Sequence, residues 1–115
     1  MKTQMQIGES THANLILLEI VSRLVAEFNP HMIYLFGSRA SGTARHDSDY
    51  DILVVMPLHF DSARRLAARA YELLDDLDIA LDILFTNKNK FEQRKSIMNT
   101  LAEIASNDGK QLYAV

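Results

Sequence analysis

Three aspartates and one glycine–serine pair are the residues of this chain whose types and spacing fit a defined chemistry. Asp49 and Asp51 lie two apart at the head of an apolar run, Tyr50 to Met56, that Pro57 stops. Alternation along a strand sends both carboxylates to one face, roughly 6–7 Å apart. Leu53 and Val55 share that face, and Ile52, Val54 and Met56 take the other. Adjacent carboxylates repel unless a cation lies between them, and oxygen donors suit magnesium. Asp82 stands among Leu81, Ile83, Leu84 and Phe85, where burying a charge is costly. If its strand pairs with the Asp49 strand, three acids converge. That donor set can hold two divalent ions ~3.5–4 Å apart for in-line displacement at phosphorus.

Gly37 and Ser38 follow the short apolar run Met32 to Phe36, at the strand end where ligands bind in open α/β sheets. Glycine lets a phosphate approach the backbone, while a serine hydroxyl and the amides opening a helical turn donate to its oxygens. Arg39 and Arg45 are near enough in sequence to balance phosphate charge. Each feature alone has a plainer explanation: a turn, a capping pair of acids, an edge-strand charge. Together they are rarer. Gly-Ser followed at one fixed spacing by Asp-x-Asp is expected by chance in about one in several hundred chains of this length.

The elements that must position these residues are readable from periodicity. Leu15 to Phe28 recurs at three and four residues, which predicts a helix capped by Ser10 or Thr11 and ended before Pro30. Met32–Phe36 reads as a buried strand, residues 37–48 as a small polar loop or helical turn, and Tyr50–Met56 as a second strand. Ala63, Leu66, Ala67, Ala70, Leu73, Leu74 and Leu77 define one face of a helix capped by Asp61 or Ser62. Arg64, Arg65, Arg69, Glu72, Asp75 and Asp76 line its solvent side. Ile79–Phe85 reads as a third strand. A last helix carries Phe91, Arg94, Ile97, Met98, Leu101, Ile104 and Ala105, with Met98 filling core, and closes near Asn107 and Gly109. The order α-β-α-β-α-β-α implies an α/β fold, a small sheet flanked by helices.

With 115 residues, 48% hydrophobic and 23% charged, the expectation is one globular domain over 1–115, with residues 1–9 flexible. The absence of cysteine excludes a disulfide scaffold, a thiolate zinc site and a thiol nucleophile. Twelve basic against fifteen acidic side chains, net charge −3, argue against a nucleic-acid-coating protein. Neither a signal peptide nor a membrane span is evident, so a soluble, cytoplasmic location is expected. No Walker loop or esterase elbow is present. His12, His31, His46 and His59 lack metal-ligand spacing, although His46 lies in the loop leading to the acids.

Taken together, Gly37-Ser38, Arg39-Ala40-Ser41-Gly42, Ser48-Asp49-Tyr50-Asp51 and the later strand Asp82 resemble the signature of the DNA polymerase β-like nucleotidyltransferase superfamily. In a chain this short they are similar to its minimal nucleotidyltransferases, over residues 12–107. Ser41 departs from the more usual arginine before the second glycine. The resemblance implies a mixed sheet, two magnesium ions and ATP as donor. It also implies Asp49, Asp51 and Asp82 as metal ligands, with Asp82 activating the attacking hydroxyl, and Gly37, Ser38, Arg39 and Ser48 as nucleotide-binding residues; Ser48 reads equally as a turn residue.

Such proteins are commonly paired with a HEPN-domain toxin. The implied activity is transfer of AMP to a toxin tyrosine, an antitoxin function. Another chain is then expected to supply the acceptor, and a homo-oligomer is compatible with this. No direct nucleic-acid binding and no membrane are expected. The competing readings are a non-catalytic nucleotide-binding or protein-binding antitoxin, and transfer to a small molecule such as an aminoglycoside.

Overall fold

Helix α1 (Thr11–Phe28) opens the fold and stops where its last carbonyls must find other donors. Asn29 takes the left-handed conformation (φ 49°) and its amide returns to Val25 O at 3.0 Å, after which Pro30 bars continuation. The computed structural model describes residues 4–5, 11–45 and 47–115, and side chains from residue 15 onward except that of His46. The Ser10 cap and His46 therefore lie outside the described residues, as does most of the 1–9 segment expected to be flexible. Within that segment, Gln4–Met5 forms a short strand, β1.

The remaining elements are β2 (Met32–Phe36), α2 (Ser38–Ser41), β3 (Tyr50–Met56), α3 (Ala63–Leu74), β4 (Leu81–Asn87), α4 (Lys88–Arg94), α5 (Leu101–Asp108) and β5 (Lys110–Ala114), with a 3-10 turn at Asp75–Leu77. The sheet is mixed and has five strands in the order β1-β5-β2-β3-β4. β2 is antiparallel to β3 and β5, whereas β3 and β4 are parallel, joined by the α3 crossover. One face packs Ile33, Ile52, Val54, Ile83 and Phe85 against Ile20, Leu24, Phe28, Ala70 and Leu74 of α1 and α3. The other carries Leu53 and Val55 against Phe91, Ala102 and Ala105 of α4 and α5.

Sequence and structure part company at both ends of the last helix. The expected single helix is two, because Thr100 caps α5, its side chain accepting from Glu103 N at 3.2 Å, and Asn99 is left-handed (φ 67°). The break carries Met98 out of the core: it is 79% exposed. β5, unanticipated, slots between β1 and β2 with Leu112 and Tyr113 buried. β4 begins two residues later than Ile79, since the left-handed Asp78 (φ 51°) closes the preceding turn.

Ser62, not Asp61, caps α3, accepting from Arg65 N. The expected solvent face of α3 is partly occupied. Arg69 pairs with Glu27 and lies over the Phe28 ring, and Arg23 donates to Asp76 and to Leu73 O. At the open edge of the sheet, Ile83 N donates to the Tyr71 hydroxyl at 2.9 Å. Among the described residues no helix is long and apolar enough to cross a membrane.

Candidate active site

The sequence places Tyr50 between two acids, and its burial sorts them. Tyr50 is only 3% exposed, in the core beneath the sheet, and its amide donates to Ala80 O at 2.8 Å. Strand alternation then turns Asp51 to the opposite face, with Asp49 just ahead of the strand. Across the parallel β3–β4 pair, Asp51 stands in register with Asp82, so these carboxylates share a face. Asp82 is exposed rather than buried. Leu81, Ile83 and Phe85 pack the other way, so its charge keeps contact with water.

The charges of these acids act on one another. Burial pushes the Asp51 carboxyl above the usual carboxylate range, and repulsion from Asp82 and then Asp49 adds to it. Among the described residues no three such side chains form an assembled ion cage. What the fold presents is Asp51 and Asp82 on one face, with Asp49 just ahead of the strand and close enough to oppose the charge of Asp51. That set fits magnesium in donor chemistry and in charge.

Gly37 follows β2, whose last residue Phe36 pairs with Asp51, and takes φ 73°, ψ −157°, a region essentially restricted to glycine. A β-carbon there would overlap Asp51 Oδ2 and lie 3.0 Å from its Cγ. Ser38 opens the single turn α2, whose Ala40 and Ser41 amides return to Gly37 O at 3.1 Å.

The loop from α2 to the acids is braced by Arg39. Its guanidinium stacks 3.9 Å over the Tyr50 ring and donates to Ser48 O at 3.0 Å from Nε and 2.8 Å from Nη2. Ser48 closes a turn, its hydroxyl accepting from Arg45 N at 2.8 Å. Both residues thus fix the backbone one position before Asp49. This bracing by Arg39, and the anchoring by Tyr50, escaped the sequence reading. The aromatic between the two acids was the available signal.

Residues 16–104 match the model of the nucleotidyltransferase domain, and the chain belongs to that family. Its fold is similar to that of a chain in a toxin–antitoxin complex crystallised with AMP-PNP: 27% identity over 84% of this chain and 73% of that one, TM-score 0.57. A chain of the MntA–HepT toxin–antitoxin complex is similarly close, at 25% identity over 88% and 72%, TM-score 0.57. A protein from Shewanella oneidensis, 20% identical over 88% and 71% with TM-score 0.56, shares the fold. No curated protein matches the sequence. The resemblance to the minimal nucleotidyltransferases read from the motif therefore holds.

Proposed function

We propose that this protein is a magnesium-dependent nucleotidyltransferase that moves AMP from ATP to a hydroxyl, a tyrosine of a HEPN-domain toxin, and so acts as an antitoxin. The observation that carries the reading is the register of Asp51 with Asp82 beside the Gly37–Ser38 turn. Similarity to chains of toxin–antitoxin complexes, one with an ATP analogue, supports the donor and the partner class.

In this reading Asp49, Asp51 and Asp82 hold two magnesium ions, which supply charge neutralisation and Lewis acidity when bound. The amides of the turn after Gly37 and the Ser38 hydroxyl hold the triphosphate. Arg39 and Ser48 keep Asp49 in place. Asp82, on the outermost strand, takes the proton of the acceptor hydroxyl. The acceptor oxygen bonds to the α-phosphorus, the bond from that phosphorus to the bridging oxygen breaks, and pyrophosphate leaves. Positioning and charge neutralisation account for the rate, as in phosphoryl transfer generally.

The test combines labelled ATP, magnesium and a HEPN-domain protein of the proposed partner class. Wild type labels the partner and raises its intact mass by one or more AMP units, and Asp49→Asn does not. Equal behaviour of the two, or neutralisation of the partner that survives Asp82→Asn, overturns the catalytic reading in favour of binding alone.

A further inference from the structure

Strand order divides the acid-bearing face into two sides. β2, with the Gly37–Ser38 turn, lies on one side of β3, and β4, with Asp82, lies on the other. A cavity of about 210 Å³ opens on the β4 side, lined by residues that include Leu53, Leu84, Lys90, Arg94, Thr100 and Leu101. Leu53 and Leu84 are register partners, one step further along the same face from Asp51 and Asp82. The cavity floor is thus continuous with the acids. Its charged lining among the described residues is cationic, Lys90 and Arg94. Both are exposed, and neither is ion-paired among those residues. Leu84 is 40% exposed, and Ile97 and Met98 extend apolar surface along the α4–α5 turn.

We infer that this cleft seats the acceptor segment of the protein partner in extended form, Lys90 and Arg94 holding a carboxylate three or four residues from the reacting hydroxyl. The inference rests on the nucleotidyl-transfer reading above. Asp82 to Thr86 spans roughly 13 Å of strand at about 3.3 Å per residue, and an extended peptide lying along it covers the same distance in three or four residues. Side chains between the hydroxyl and the carboxylate meet Leu84 and Leu101, so they are apolar. Lys90 and Arg94 attract a carboxylate at the far end of the cleft while the reacting hydroxyl lies at the Asp82 end, which fixes the direction in which the segment lies. A nucleotide is the poorer occupant, because its triphosphate belongs at the Gly37 turn on the opposite side of β3.

Fluorescence anisotropy tests this with a dye-labelled peptide bearing tyrosine, three apolar residues and then glutamate, and with its glutamine counterpart. The glutamate peptide is expected to bind about tenfold more tightly, the effect of one charge-assisted hydrogen bond. Lys90→Glu with Arg94→Glu abolishes that preference. Equal binding of the two peptides overturns the assignment. So does a loss of AMP-PNP affinity in the double variant, which gives the cleft to the nucleotide. Charge-dependent peptide binding without any label transfer from ATP leaves the cleft assigned and removes the transfer reading instead.

Discussion

Asp51 Oδ2 occupies the space that a β-carbon on Gly37 would need. The end of one strand and the acid on the next are therefore fitted to each other at the level of single atoms. Gly37→Ala must both leave a glycine-only backbone region and displace the carboxylate. The expected cost is of order 1–3 kcal/mol in urea unfolding, together with loss of stabilisation by magnesium.

Asp51 is held in an environment that opposes its charge, chiefly through burial and then through Asp82 and Asp49. A carboxyl raised in the folded state favours folding when protonated, and that contribution is lost as pH rises through its folded pKa. Asp51→Asn should therefore be more stable than wild type at neutral pH. The gap should close as pH falls below the ordinary carboxylate range. Activity should fall at least ~10²-fold in the same variant. Magnesium near 100 Kd should stabilise wild type by about 2.7 kcal/mol, and Asp51→Asn far less. Thermal melts over pH, with and without magnesium, check both parts.

Arg39 combines a stack on Tyr50 with two donors to Ser48 O, a geometry that lysine does not reproduce. Arg39→Lys should behave almost as Arg39→Ala. Both should weaken the magnesium-induced shift in melting temperature by loosening the residue next to Asp49. A full rescue by lysine would show that charge alone is what matters.

Phe91 is 2% exposed and stacks on Tyr34 with centroids 5.3 Å apart, in the smaller core between the sheet and α4–α5. Phe91→Ala should cost about 3–5 kcal/mol. Thr100→Ala should cost about 1 kcal/mol through loss of the α5 cap. Denaturant unfolding distinguishes the two magnitudes.

The parts of this fold that were legible in the chain are those where periodicity and a stop signal coincide. The strands Met32–Phe36 and Tyr50–Met56 lie between their Pro30, Gly37 and Pro57 signals as read. The acids were legible because a charge beside Ile52 or Ile83 contradicts an otherwise apolar pattern. β5 was not, since among its five residues only Leu112 and Tyr113 are buried, and its pairing with β2 is irregular at Ile33 and Tyr34. The α4–α5 break was overridden by apolar spacing that runs through Ile97 and Met98, although Thr100 with Glu103 carries a cap signature. Strand direction depends on which strands are neighbours, so the register that joins Asp51 to Asp82 required the tertiary structure.

The phenol of Tyr71, spent on the amide of Ile83, has a consequence for assembly. A sheet margin ordinarily invites a foreign chain to zip onto it, and here that invitation is withdrawn at the residue next to Asp82. In the proposed transfer, the chain that delivers the acceptor hydroxyl comes down onto the broad side of the sheet, where recognition is by side chains, and cannot enrol itself as a sixth strand at that point.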